Sequence, residues 1–476
     1  MTSKKVDFSY FHVFLFVTFT VLNLLTHEKY IGVFISIPQF IIIFVLIIQN
    51  KLEKAFLYHL IFTLTCLAVP FSQLVNPGAV EFGLYNYSKL KIFGPVGVFH
   101  ILILAIFILN LKSKLKFNDD NLLKLLFNSF VYLSITGFVF GLIGLAFFDY
   151  YLVHFVSYTI YIFILIIHFI LLLQFNTKEF LDKIYNLICS LLISAPIASF
   201  FLFLIGETII YGNKQISIIT EVGYFSCILV FALFQFNKII LPLISFIIGL
   251  FLLSDGGSGG KGIIFTALIL ILFLYKVLVK KNISGQIFLF RRKIIFLFFL
   301  PIFSILAYKS TIIFSNKLFI YKFESILQLV NIFNGFDFFY LIPESPRIRI
   351  ISSLNIWYEQ ITQNFFSFFT GNGFGAYFYD NFNFFSSMRM KDSFRPEELM
   401  SGKYGRPHDT FAAVPLANGI IGLFLLLKLT YYYTKRAMKY NFLGFSAILF
   451  LCLAFYFNSQ LALAGLLMLY ASFKKI

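Results

Sequence analysis

The feature that most constrains this chain is a succession of apolar runs, each near twenty residues long, separated by short polar connections. A hydrocarbon layer of about 30 Å takes roughly 20 helical residues to cross. Inside it every backbone N–H and C=O must be paired within its own segment, so such runs are helices. The expected spans are 8–26, 31–49, 55–75, 95–111, 122–148, 152–175, 184–205, 216–236, 239–253, 263–279, 294–313, 410–433, 442–457 and 462–473. That makes about 14. Charged residues are only 12% of the chain, about half the share of a soluble domain, and mean hydropathy is +0.89. The expectation is an all-α polytopic membrane protein. Transmembrane helices 1–11 fill 1–313, one large loop fills 314–407, and helices 12–14 fill 408–476.

A net charge of +17 would suit nucleic acid if it formed a surface patch. Here most Lys and Arg sit in short clusters between apolar runs, which is where they orient helices, so a nucleic-acid partner is excluded. With the N-terminus in the cytoplasm, the inside connections hold pairs and triplets such as Lys51/Lys54, Lys112/Lys114/Lys116 and Lys435/Arg436/Lys439. The bias is roughly four to one, as the positive-inside rule expects. Both ends then face inward and the long loop faces outward. Cys66, Cys189, Cys227 and Cys452 all lie in apolar runs without a CxxC pair, so neither a disulfide framework nor a metal site is expected. The first run lacks a small-residue cleavage site and reads as a retained helix.

The loop of about 94 residues is rich in aromatic residues, which argues against disorder. Within 347–369, Leu354, Trp357, Ile361, Phe365 and Phe368 recur at steps of three and four. This predicts an amphipathic helix at the membrane interface.

Four motifs carry candidate chemistry. Ser254-Asp255-Gly256-Gly257-Ser258-Gly259-Gly260-Lys261-Gly262 is either a plain hairpin or an anion cradle at a helix N-terminus, completed by the Lys261 charge. Arg347 and Arg349 open the interfacial helix; they suit phosphate through paired N–H donors, or simply meet lipid headgroups. Gly371, Gly373 and Gly375 follow that helix and predict a C-cap with a tight structural turn. Arg406-Pro407-His408-Asp409-Thr410 stands at the mouth of the next span, where His408 is either a polar anchor or a general base. All four fall on the outer side of the charge-derived topology.

In this order the motifs resemble those of the Wzy-type O-antigen polymerase and O-antigen ligase superfamily. Lys261 stands where that family commonly has Arg. Arg349, Trp357 and the glycine turn follow in the loop. His408-Asp409 stands in place of His-Asn, and Gly419-Ile420-Ile421-Gly422 follows after an eleven-residue step. The loop Arg lies two turns before the Trp instead of one, which leaves Arg347, Arg349 and Arg406 as alternatives for the phosphate-binding position. The resemblance covers roughly 254–425 and implies a polyprenol-dependent, GT-C-like bundle in the bacterial inner membrane, with its active site facing the periplasm. It implies an inverting glycosyltransferase that uses neither metal nor cofactor. The donor would be an undecaprenyl-diphosphate-linked glycan, held by Lys261 and the arginines, with His408 as base. A polymerase would transfer to another lipid-linked repeat unit, with a chain-length regulator as a candidate partner. A ligase would transfer to lipid A–core. Polymerase is preferred because polymerases are the more sequence-diverse group. A transporter or flippase is the alternative of another class, disfavoured because the halves show no duplication.

Overall fold

The computed structural model describes residues 8–25, 31–65, 91–93, 96–118, 120–205, 208–211, 214–217, 238, 240–255, 344–385, 394, 396–405, 407, 410–439, 442–445 and 459–474. The chain divides into two compact units, Met1–Leu191 with Glu344–Ile476, and Leu192–Pro343. The protein is mostly helical. Among the described residues four helices are long and apolar enough to cross a membrane. Of the remaining expected spans, five are represented by shorter apolar helices and 55–75 by the helix Leu52–Leu64, and the others lie wholly or partly outside the described residues.

In the first unit, α1 (Tyr10–Leu25), α2 (Ile31–Ile48) and α3 (Leu52–Leu64) are followed by a short antiparallel pair, β1 (Lys91–Phe93) and β2 (Val96–Gly97). Then come α4 (Val98–Leu109), α5 (Asn121–Phe147), α6 (Leu152–Gln174) and the start of α7 (Lys178–Ile205). Asp120 caps α5 by accepting from the Leu122 and Leu123 amides, which satisfies two of the orphan donors at that helix start. The expected seventh span begins at Ile184; the helix begins earlier, at Lys178, where the Thr177 hydroxyl accepts the Phe180 amide at 3.1 Å and satisfies one of the free donors of that helix start.

The connections that carry the basic clusters meet at one end of this unit. Arg436 pairs with Asp120, Lys183 with Glu53 and Lys474 with Asp182, each at 2.9 Å. Asn176 ties the Lys116 carbonyl (2.7 Å) and accepts from the buried Tyr470 hydroxyl (2.7 Å).

The long loop contributes α9 (Glu344–Thr362), α10 (Phe365–Thr370), β5 (Phe378–Tyr379), α11 (Pro396–Ser401) and β6 (Lys403–Tyr404). The expected single helix over 347–369 is thus two, because Asn364 leaves helical geometry and caps α10 through the Ser367 amide. Strands β5 and β6 pair antiparallel, Phe378 opposite Tyr404 and Tyr379 opposite Lys403. The chain then enters α12 (Thr410–Lys439), a 3-10 turn at Phe442–Phe445, and α13 (Ser459–Ala471). An apolar core joins Ile348, Ile351 and Ile356 of α9 to Phe378, Tyr404, Ala412 and Leu416. The start of α12 is thereby fixed against α9 and the β5–β6 pair.

In the second unit, β3 (Thr208–Tyr211) and β4 (Lys214–Ser217) form a hairpin with Thr208 opposite Ser217. The expected span over 216–236 therefore starts in a strand, and its remainder lies outside the described residues. Helix α8 (Ile240–Asp255) is anchored by the Ser245 hydroxyl, which donates to the Ile193 carbonyl at 2.7 Å.

Candidate functional site

Helix α12 is broken. Gly419 has φ +64° and ψ −167°, four residues after Pro415. A continuous helix would pair the carbonyls of Pro415, Leu416 and Ala417 with the amides of residues 419–421. Those carbonyls instead accept from the Gln360 side chain (2.8 Å), the Asn372 amide (2.7 Å) and the Gly373 amide (3.0 Å). Irregular backbone among membrane helices is tolerated only where protein supplies such partners. Asn418, fully buried, closes the break from the other side by donating to Leu133 O (2.7 Å) and Thr136 Oγ1 (2.8 Å) on α5.

The glycine turn is what makes this closure possible. Gly371, Gly373 and Gly375 all have positive φ (+75°, +88° and +83°), a conformation in which an L side chain is strained. The contacts are also too close for a side chain. A Cβ on Gly373 would lie 2.0 Å from the Gly141 amide nitrogen, and one on Gly371 would lie 2.2 Å from that of Asn418. On α5, Gly137 and Gly141 form the matching furrow. Gly137 O accepts the Phe374 amide at 2.7 Å, and the Phe374 ring fills the space over Gly137. The expected structural turn is present, and it does more than cap a helix: it bridges α5 and the break in α12.

Polar groups fasten the loop above the turn. Glu359 Oε1 accepts from the Tyr379 amide (2.6 Å) and from Asn381 Nδ2 (2.7 Å). Asn355 accepts from the Asn381 amide (2.8 Å), and Asp380 Oδ2 accepts from the Phe385 amide (2.6 Å). Burial raises the Glu359 pKa above the ordinary carboxylate value, and its two donors pull it back only in part. At the loop's edge Lys403 pairs with Asp149 at 3.0 Å and lies over the Tyr377 ring; the Asp149 partner raises its pKa. Burial and the neighbouring Tyr377 push the Tyr150 hydroxyl up to about 12.

Helix α9 buries polar residues beside its apolar core contacts and exposes part of the apolar stripe. Asn355, Glu359 and Gln360 are buried, whereas Leu354 and Ile361 are exposed, as are Phe365, Phe366 and Phe369 on α10. Such a helix suits a surface that meets lipid with its outer face. Arg347 and Arg349 stand in its first turns. Arg347 Nε is buried without a hydrogen-bond partner among the described residues, as are the hydroxyls of Ser352 on α9 and Thr410 at the start of α12. Buried donors left unpaired are costly, and all three types of group can donate to an anion.

Of the expected site residues, the structure describes Arg347, Arg349, Gly371, Gly373 and Gly375. Lys261, Arg406, His408 and Asp409 lie outside the described residues. Gly137, Gly141, Gln360 and Asn418 were not among the expected site residues. Their signals in the sequence are small residues four apart in an apolar run and an amide within a span. No protein-family model, curated protein or solved structure matches the chain.

Proposed function

We propose that the protein is a membrane glycosyltransferase of the polymerase type. It would take a glycan from undecaprenyl diphosphate and join it to a sugar hydroxyl of another lipid-linked repeat unit, at the periplasmic face of a bacterial inner membrane. The observation that carries this reading is the buried Arg347 Nε, without a hydrogen-bond partner among the described residues, on a helix that exposes Leu354 and Ile361. A guanidinium donor awaiting an anion, beside a lipid-facing stripe, fits a substrate with a phosphate head and a polyprenyl tail.

In the proposed reaction Arg347, with Lys261, Arg349 and Arg406 as further candidates, would bind the diphosphate and stabilise the charge of the leaving group. The acceptor oxygen would attack the anomeric carbon from the face opposite the diphosphate and invert it. The new C–O bond forms as the bond to the diphosphate oxygen breaks, and the acceptor proton passes to His408. Undecaprenyl diphosphate leaves as the anion. The reaction needs no nucleotide sugar, because the glycan is already activated. A ligase would run the same chemistry toward lipid A–core.

The break in α12 is the one feature that favours a carrier, since transporters coordinate ions with the carbonyls of broken helices. Here the carbonyls of Pro415, Leu416 and Ala417 are each taken by a protein donor, which argues against that use.

The test is the surface-polysaccharide ladder of cells lacking the gene, complemented with wild type, His408→Ala or Arg347→Ala. Polymerase is supported if either variant leaves core bearing one repeat unit while the protein still inserts; the loss expected for His408→Ala is about 10²- to 10⁴-fold. Bare core with accumulated lipid-linked polymer would make the protein a ligase. A normal ladder in the deletion strain would overturn both.

A further inference from the structure

At the end of the first unit where the basic connections meet there is an open cavity of about 670 Å³, lined by Lys51, Glu53, Lys54, Lys183, Leu57 and Leu109 among others. Its charges do not cancel. Glu53 is bound by Lys183 at 2.9 Å, and Lys183 also holds Glu179 at 2.9 Å. The Lys51 ammonium donates to the neutral Gln49 side chain at 2.9 Å. Among the described residues neither Lys51 nor Lys54 forms an ion pair. The same wall includes the first turn of α3, whose N-cap, Lys51, makes no side-chain capping bond. The partial positive charge of that helix end adds to the two lysines.

The lining also includes the apolar Leu57, Leu109 and Phe175. Leu109 is 56% exposed, and it continues an exposed row along α4 made by Ile101, Leu104 and Ile108. A soluble anion would gain nothing from that row, whereas acyl chains would cover it. We propose that this cavity binds the phosphodiester headgroup of an anionic glycerophospholipid from the adjoining leaflet. Lys51 and Lys54 would face the phosphate, and the acyl chains would lie along α4. Basic pockets between membrane helices at a polar boundary hold lipid headgroups by this combination. The proposal uses none of the residues assigned to glycan transfer and is independent of that reading.

The experiment is lipid binding to the purified full-length protein in neutral detergent, read by native mass spectrometry and by thermal melting. The titrants are phosphatidylglycerol, phosphatidylcholine and inorganic phosphate. Retention of phosphatidylglycerol with a raised Tm is expected for wild type, with phosphatidylcholine and inorganic phosphate inert. The Lys51→Gln/Lys54→Gln variant should bind phosphatidylglycerol about thirty-fold more weakly, the loss of two lysines each contributing as basic residues do near an anionic lipid surface. A control variant, Lys112→Gln/Lys114→Gln, removes the same charge from the same end but outside the cavity and should bind as wild type. Equal weakening in both variants, or unchanged binding in the first, would overturn the proposal in favour of diffuse surface attraction or no site. A Tm rise with inorganic phosphate that competes with lipid would assign the cavity to a soluble phosphate and overturn the lipid.

Discussion

Gly373 has room for a hydrogen and nothing larger on the side that meets α5. Backbone, not a flexible side chain, lies 2.0 Å from where a Cβ would stand, so no rotamer change relieves the contact. Gly373→Ala is expected to cost about 3 kcal/mol or more, combining steric collision with left-handed strain. Gly402 is the internal control: its φ is +69° but nothing lies within 4 Å of an added Cβ. Gly402→Ala should cost only the strain, about 1–2 kcal/mol. Melting of the two detergent-purified variants checks the difference. Glu359 makes the opposite prediction. Folding raises its pKa above 4.5 through burial, so the folded state binds more protons than the unfolded state just above pH 4.5. Stability therefore falls as pH rises through that window. Gln at 359 keeps an oxygen for the Tyr379 and Asn381 donors and removes the buried charge. Glu359→Gln should melt at or above the wild-type temperature at neutral pH, and its stability should lose that pH dependence.

Among the elements, α9 is the one whose surroundings can be read directly, because Trp357 is the only tryptophan in the chain. It packs edge-on against Phe368 of α10, with ring centroids 5.6 Å apart, close to the exposed apolar stripe. In vesicles, tryptophan emission should be blue-shifted and quenched by lipids brominated near the headgroup. Emission unaffected by bromolipid would mean that the stripe faces protein or water. The periodicity of this stripe was legible in the sequence, since steps of three and four report a helical face whatever covers it. Which face turns inward was not, because the burial of Asn355 and Glu359 depends on donors from the segment around Tyr379–Asn381. The spans α5 and α6 were legible to within a residue or two, because long uninterrupted apolar runs leave little latitude. The break in α12 was not. Gly419 sits in an apolar run where a helix would ordinarily continue, and only the donors of Gln360, Asn372 and Gly373 make the interruption affordable. The glycine turn was visible as a turn, but its docking on Gly137 and Gly141 is a long-range match that no local pattern encodes.

For the whole molecule, the alternation expected from charge puts the Lys51, Lys116, Lys183 and Arg436 connections on one side and the Asp149 and Lys403 connections on the other. The expected sidedness follows from the positive-inside rule. In a background with the four native cysteines replaced, Met400→Cys, at an 81% exposed position, should react with an impermeant maleimide in cells with a permeabilised outer membrane. Lys114→Cys should react only after the inner membrane is disrupted. The reverse pattern would invert the topology and remove the periplasmic site. The docking of the glycine turn has a further consequence, for the order in which the protein is made. Phe374 of the turn and its α5 partner Gly137 are separated by 237 positions. At ribosomal speeds of about 5–20 residues per second, α5 waits roughly 12 to 47 s in the bilayer before the turn emerges. During that interval the Gly137–Gly141 furrow is open to any passing helix, so a ribosome stalled after α5 would expose a sticky surface that an intact chain later covers with its own turn.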